Sequence, residues 1–221
     1  YMDVVASLYE RNSLRDIITR TAKEIFIPLT VGGGLRSVED IREVLRAGAD
    51  KVAINTAAVK NPEIIKTASR EFGSSTIVVA IEAIKQADGS YLAYVDNARE
   101  HTGLDAVKWA ERVEELGAGE IVITSVDNEG TGAGFDLELT KEIAGKVSIP
   151  VIAHGGAGRT EHISQVISEG HADAVAIASI LHYCFIQGKK SEVDNSVEGN
   201  TEFLNSGKGF GKISPVNVRD I

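Results

Sequence analysis

The 221 residues carry 32 acidic against 23 basic side chains, a net charge of −9, with 43% hydrophobic residues and 22 glycines. That balance suits one large α/β domain over residues 1–221 and excludes a broad basic surface for nucleic acid; a small anionic ligand would need local backbone cradles instead. No apolar run approaches the ~20 residues of a membrane span and no secretory leader is visible. The lone Cys184 excludes an internal disulfide, so the composition fits the cytoplasm.

In chain order, Tyr1–Val5 reads as the tail of a strand. Apolar Leu14, Ile17, Ile18, Ala22 and Ile25 recur at helical spacing and predict a helix over 14–25. Pro28–Gly33 is a strand and turn. Ser37 then caps a helix running to Ala47, with Asp40 in capping-box position, and Gly48 stops it. Lys51–Asn55 reads as a short buried strand. Asn61-Pro62-Glu63 opens another helix, Asn as cap and Pro at the first helical position. Thr76–Glu82 is an apolar strand ending in one acid, and 86–97 a hairpin around Asp88-Gly89. A helix over 104–116, a strand over 120–125 and a helix over 136–144 follow, then strand 150–154, helix 160–169 and strand 173–178. Cys184 reads as a bland thiol at a strand–loop junction. Residues 187–212 lack periodicity and predict a flexible insertion. Ser214–Ile221 looks like the start of a helix.

The chain repeats itself. With Pro28 laid on Pro150, Gly33 falls on Gly155, Gly34 on Gly156, Glu39 on Glu161 and Gly48 on Gly170, all 122 residues apart. After one inserted residue Asp50 falls on Asp173, Val52 on Val175, Ile54 on Ile177 and Thr56 on Ser179. Each copy is strand, Gly-rich turn, helix and strand. That length exceeds a solenoid unit of about 20–50 residues and matches half of a (β/α)8 barrel. Continuous apolar strands between amphipathic helices agree with a parallel sheet covered on its faces. An open doubly wound sheet is the alternative, but it does not predict the duplication. By the repeat, the strand near Ile77 expects a partner lying about 45 residues before Tyr1, so a first strand and helix are expected outside the sequence, with the last helix incomplete.

In such barrels chemistry sits where strands end and loops begin. The residues placed there include Asp3, Gly34, Asn55, Thr56, Glu82, Asp127, Glu129, Gly130, Gly156, Ala178 and Ser179. Glycines let the backbone approach an anion, and helix N-termini present free N–H groups. Gly156, Ala178 and Ser179 form one candidate phosphate cradle; the duplicate offers a second from Gly34, Asn55 and Thr56. Two cradles on one mouth imply a long ligand with a phosphate at each end. The alternative is that these glycines only make tight turns. Glu82 ends an apolar strand, where a charge is costly unless it faces a pocket, and such a carboxylate can act as general acid or base. It could instead be a rim carboxylate paired with Lys85. Asp127 and Glu129 either contact substrate or cap their own loop; Asp3 lines the same mouth. His154 ends a strand and is a possible ligand contact, and the five histidines show no metal-ligand spacing. Lys51 begins a strand at the opposite face and reads as a solvated lysine.

These residues together resemble the cyclase subunit of imidazole glycerol phosphate synthase, from histidine biosynthesis. The likeness runs along nearly the whole chain outside 187–212. It rests on Thr30-Val-Gly-Gly-Gly34, Lys51-Val-Ala-Ile-Asn-Thr-Ala-Ala58, Gly117-Ala-Gly-Glu-Ile121, Thr124-Ser-Val-Asp-Asn-Glu-Gly130 and Gly155-Gly-Ala-Gly-Arg-Thr-Glu-His162. The sister isomerase of the pathway shares the two-phosphate barrel, but Asn-Thr-Ala-Ala and Gly-Gly-Ala-Gly-x-x-Glu-His are more like the cyclase. The resemblance implies a bisphosphate ribotide substrate, no cofactor or metal, and ammonia supplied by a glutaminase subunit in a heterodimer. It implies phosphate contacts at Gly34, Asn55 and Thr56 at one end and at Gly130, Gly156, Ala178 and Ser179 at the other. It places Lys51 at an ammonia entrance and Asp50 and Glu120 near the docking face. Two departures stand out. Of the family's two catalytic aspartates, the one on the first strand is expected outside this sequence and the second is Glu82 here; Glu129 also stands where the family tends to have Asp. A paralogue delivering ammonia to an amidation of a bacterial surface sugar, or a non-catalytic scaffold, are the competing readings.

Overall fold

The computed structural model describes residues 1–3, 15–188 and 212–221. The expected insertion at 187–212 lies almost wholly outside these residues. The elements are α1 (Arg15–Glu24), β1 (Thr30–Gly32), α2 (Val38–Arg46), β2 (Lys51–Ile54), α3 (Thr56–Lys60), α4 (Glu63–Phe72), β3 (Ile77–Lys85), β4 (Tyr91–Val95), β5 (Glu100–Asp105), α5 (Ala106–Glu115), β6 (Glu120–Ser125), α6 (Leu137–Ala144), β7 (Val151–His154), α7 (Thr160–Ser168), β8 (Ala174–Ala176) and α8 (Ser179–Gly188). The order β1-β2-β3-β6-β7-β8 is parallel throughout, and Met2 adds a parallel bridge to Gly32. This is the sheet of a (β/α)8 barrel. Among the described residues no helix is long and apolar enough to cross a membrane.

Local chemistry explains most boundaries. Ser37 caps α2 through the full capping box, its hydroxyl accepting the Asp40 N–H while the Asp40 carboxylate accepts the Ser37 N–H. Asp105 and Asp136 cap α5 and α6 in the same side-chain-to-backbone manner. The expected Asn61 cap of α4 is not formed. The chain instead makes the short helix α3 first, and Asn61 serves α4 with its backbone carbonyl, which accepts the Ile64 N–H. Ser214–Ile221 yields only a 3-10 turn, Val218–Asp220, capped by Asn217. Cys184 lies within α8 rather than at a strand–loop junction.

The larger correction concerns residues 100–105. The helix expected from Leu104 starts at Ala106, because Glu100–Asp105 folds back on β4 as a second antiparallel strand. Its side chains are mostly exposed, so no buried alternation marks it in sequence; pairing with β4 alone makes it a strand. The first turn of this hairpin behaves as expected. Gly89 takes φ +90° and the Asp88 carboxylate accepts both the Ser90 N–H and its hydroxyl.

Alternate strand residues divide between two surfaces. Val52, Ile54, Ile77, Val79, Ile81, Ile121, Ile123 and Val151 are buried under helices, packed with Ile64, Ile65 and Ala68 of α4, Trp109, Ala110 and Val113 of α5 and Leu139 and Ile143 of α6. Burying each such isoleucine or leucine contributes about 1.5–3 kcal/mol. The other surface carries Lys51 and Ala53, then Val78, Ala80 and Glu82, then Glu120, Val122 and Thr124, then Ile152 and His154, aligned by register. It is polar at both ends and apolar in the middle.

The duplication is reproduced bond for bond. The Leu29 N–H donates to Asp50 Oδ2 at 2.7 Å and the Val151 N–H to Asp173 Oδ2 at 2.8 Å. The reciprocal Asp50 N–H and Asp173 N–H donate to the Leu29 and Val151 carbonyls, both at 2.9 Å. Each aspartate therefore pins the start of one strand to the start of the next. Asp50→Ala and Asp173→Ala are each expected to lower stability by about 1 kcal/mol, and by the sum in the double variant, since the two pairs share no partner. Urea denaturation of the three variants checks this. A loss at one site only would break the equivalence of the halves.

Candidate active site

Because the core strands are parallel, the loops following β1, β2, β3, β6, β7 and β8 leave one edge of the sheet. On the first-half side of that edge a cavity of about 470 Å³ is lined by Asp3, Gly34, Asn55, Thr56 and Glu82, joined by Arg36, Lys60 and Asp96. Five residues from four sequence segments, each anticipated from the repeat or from its strand end, thus meet in one place.

The turn after β1 is built on a steric requirement. Gly33 takes φ +103°, and a Cβ there would fall 2.1 Å from the Asp3 carbonyl oxygen. Gly155 repeats the arrangement at φ +92°, 2.6 Å from the Ser125 carbonyl. Only glycine fits either position, so tight packing accounts for the first glycine of each pair. Gly34 follows and faces the cavity.

Glu82 stands half-buried within β3, which runs on past the strand end expected there to Lys85, opposite Thr124 on β6 and Tyr94 on β4. Its Oε2 accepts the Ala98 N–H at 2.8 Å, and the Asn55 side chain also hydrogen-bonds it. Burial pushes this carboxyl above the ordinary range. The nearby charges of Glu129 and Asp96 push the same way, while the two hydrogen bonds oppose it. The alternative of a Glu82–Lys85 pair does not hold. Lys85 lies on the opposite surface of β3, over the Tyr91 ring, and pairs with Glu138. That contact raises the Lys85 ammonium's affinity for its proton, and burial with the neighbouring Asp136 pushes the Tyr91 phenol up to about 12.

Beside Glu82, Thr56 opens α3. Its Oγ1 donates to Asp96 Oδ1 at 3.3 Å and accepts the Asp96 N–H at 3.4 Å, and Lys60 Nζ is 3.9 Å from Asp96 Oδ2. Asp96, Asn97 and Ala98 take φ +53°, +58° and +57°, three successive left-handed non-glycine residues. Sequence reasoning passes over Asp96, because the turn's conformation depends on the hairpin that β5 completes.

The second-half candidates leave the same edge but do not line this cavity. Gly156, at φ +108°, accepts the Gly134 N–H with its carbonyl at 2.8 Å, and a Cβ there would lie 2.0 Å from the Gly134 oxygen. Ala178 and Ser179 lie at the start of α8, and Gly130, at φ +73°, has no atom within 4 Å of a would-be Cβ. Between the two sides stand Thr124 and His154, also in register with Glu82, with Thr124 Oγ1 3.0 Å from His154 Nδ1. Burial holds the His154 imidazole below its ordinary value, partly offset by Glu129. Thr124 is another residue the sequence reading does not single out, as are the cavity residues Arg36 and Lys60; only strand register reveals Thr124. Asp127 caps its surroundings, Oδ2 accepting the Lys85 N–H at 2.9 Å. Glu129 is exposed, yet its charge is felt at both Glu82 and His154.

At the other end of the strands Lys51 and Glu120 form an ion pair reaching across β3, with about a quarter of each side chain exposed. The solvated-lysine reading of Lys51 is therefore replaced by a paired one. Asp50, beside it, spends its carboxylate on the Leu29 amide.

Against known proteins, a family model described as histidine biosynthesis protein matches residues 1–187. The imidazole glycerol phosphate synthase subunit HisF of Alkaliphilus metalliredigens is 53% identical over 183 residues, 83% of this chain and 73% of that protein. The same subunit from Trichormus variabilis is 53% identical over 186 residues, covering 83% and 72%. That of Methanocaldococcus jannaschii is 50% identical over 202 residues, covering 83% and 74%.

The raised Glu82 proton affinity makes a stability prediction with a definite sign. The folded state binds this proton more tightly than the unfolded chain, so the contribution to stability is present below the ordinary carboxyl value and lost as pH rises through the raised one. Glu82→Gln carries no charge and can still accept the Ala98 amide. It is expected to be more stable than wild type at pH 7.5, with the advantage vanishing near pH 4. Urea melts at both pH values measure this, and an advantage independent of pH would contradict the assignment.

Proposed function

The chain belongs to the histidine biosynthesis protein family, and from that membership we propose that it is an imidazole glycerol phosphate synthase cyclase subunit. In this reading it uses ammonia from a glutaminase partner to convert a bisphosphate, phosphoribulosyl formimino carboxamide ribotide, into imidazole glycerol phosphate and an aminoimidazole carboxamide ribotide. The observation that carries it is a half-buried carboxylate of raised proton affinity, Glu82, sharing a cavity with Gly34, Asn55 and Thr56.

The geometry supports each role. Gly34 and Thr56 sit where a β1 or β2 loop meets the mouth, and Gly130, Gly156, Ala178 and Ser179 leave the same edge on the far side. An extended substrate held by a phosphate at each end would lie over Glu82, Thr124 and His154. Holding both ends removes orientational freedom from the reacting centre between them. Glu82, poised nearer to neutrality than an ordinary carboxyl, is suited to take a proton from the attacking ammonia nitrogen and return one during ring closure. The hydrogen bonds from Ala98 and Asn55 fix its direction. Asp3 and Glu129 supply further negative charge at the mouth, favouring a substrate centre that gains positive charge as it reacts.

Partner docking belongs to the opposite end. Lys51 and Glu120 occupy the polar base of the inner surface, and the loop leading into β1 exposes Phe26 fully and Ile27 largely. An apolar rim around a paired lysine is a reasonable seat for a glutaminase, and opening that ion pair would admit ammonia toward Glu82 along the apolar middle of the barrel.

Turnover of the ribotide by the full-length protein with ammonium salts tests the chemistry. Glu82→Gln is expected to lower kcat by about 10²- to 10⁴-fold, and unchanged turnover would remove Glu82 from the reaction. Titration with the glutaminase subunit should give a 1:1 complex whose Kd rises about tenfold in Lys51→Ala or Glu120→Ala, a loss of about 1.4 kcal/mol. Unaltered binding in both would move the interface elsewhere.

A further inference from the structure

The first cradle already holds an anion of the chain's own. The Thr56 hydroxyl donates to Asp96 Oδ1 at 3.3 Å, the Lys60 ammonium lies 3.9 Å from Asp96 Oδ2, and Asp96 and Asn97 form part of the cavity wall. Resting on the reading of this cradle as a phosphate site, we propose that Asp96 is a resident counter-anion there: its carboxylate takes the hydroxyl and ammonium that a substrate phosphate needs, so phosphate binds by exchange and Asp96 sets the selectivity for a doubly charged end group.

Three features make the exchange feasible. The contacts are weak, since a 3.3 Å hydrogen bond is long and an ion pair near 4 Å with a Lys60 side chain 62% exposed holds little. The carrier is a turn with three consecutive left-handed residues, tolerated by Asp96 and Asn97 but strained at Ala98, so relaxation of the turn relieves strain there. The turn is held on its other side by the Ala98 N–H bonded to Glu82. Displacing Asp96 therefore also disturbs the amide that positions the proposed acid–base carboxylate. A phosphate dianion brings twice the charge of the resident carboxylate and three acceptor oxygens. A ligand ending in a carboxylate or a hydroxyl brings no advantage over Asp96 and is rejected.

The Asp96→Asn variant isolates the charge, because Asn keeps the shape and tolerates left-handed backbone as well as Asp. Calorimetric titration of the full-length protein with inorganic phosphate should show two sites. In Asp96→Asn one of them is expected to tighten about tenfold and the other to stay unchanged, and the tightened site should be the one lost in Thr56→Val. Asp96→Asn should also bind acetate at that site, which wild type does not, and lower KM for the bisphosphate. If Thr56→Val removes a phosphate site while Asp96→Asn leaves it unaltered or weaker, the resident-anion assignment is overturned and the cradle reading stands. If Thr56→Val changes neither phosphate site, the cradle reading fails and the present proposal goes with it.

Discussion

Parallel pairing in register, centred on β3, is the constraint on which this molecule depends. β3 hydrogen-bonds β2 on one side and β6 on the other, and Glu82 is opposite Thr124, which is opposite His154. A slip of one residue would turn Glu82 into the packed layer under α4 and α5 and bring Ile81 or Ala83 to the mouth. The register is locked at the strand starts, where Asp50 and Asp173 clasp the amides of Leu29 and Val151. It is locked along the strands by isoleucines and valines that fit only beneath helices. Chemistry at one edge is thus fixed by hydrogen bonds and packing at the other.

The polar groups on the inner surface sort themselves by height. Lys51 and Glu120 neutralise one another at the base, while the apolar Val78, Ala80, Val122 and Ile152 separate them from Glu82, Thr124 and His154 above. At the mouth the balance is acidic. Asp3, Glu82, Asp96 and Glu129 outnumber Arg36 and Lys60, and burial raises the proton affinity of Glu82. An anionic ligand would therefore rely on close-range backbone amides, a few hydroxyls and the Lys60 ammonium, in a chain whose net charge would otherwise repel it. This arrangement favours ligands whose negative charge is concentrated at their ends.

The β4–β5 hairpin is an appendage to the barrel with a disproportionate influence on the site. It extends β3 beyond the parallel sheet and returns through the Asp96–Ala98 turn, whose groups contact Thr56 and Glu82 together. One left-handed non-glycine residue costs of order 1 kcal/mol or more, so a run of three persists only where surrounding contacts fix it. Here those contacts are the Thr56 hydroxyl and the half-buried Glu82 carboxylate. The Glu82 carboxylate accepts the Ala98 amide of this turn at 2.8 Å.

The sequence by itself determined the architecture, because an echo of Gly33-Gly34 in Gly155-Gly156, 122 residues on, and of Asp50 and Thr56 in Asp173 and Ser179, 123 residues on, can be satisfied only by two like halves making like bonds. It also located Glu82 as a lone charge in an apolar stretch that has to face a pocket, although the strand expected to end there runs on to Lys85 because β4 pairs with it. Tertiary structure alone decided the neighbours. Glu100–Asp105 has no local preference that marks it as a strand, and Asp96 has none that marks it as a cavity residue; both take their roles from pairing with β4, a contact invisible to periodicity. Lys51 and Glu120 are 69 residues apart and meet only because β3 lies between their strands. Patterns along the chain encode which surface a side chain takes, whereas contacts across strands arise only when the strands pair in three dimensions.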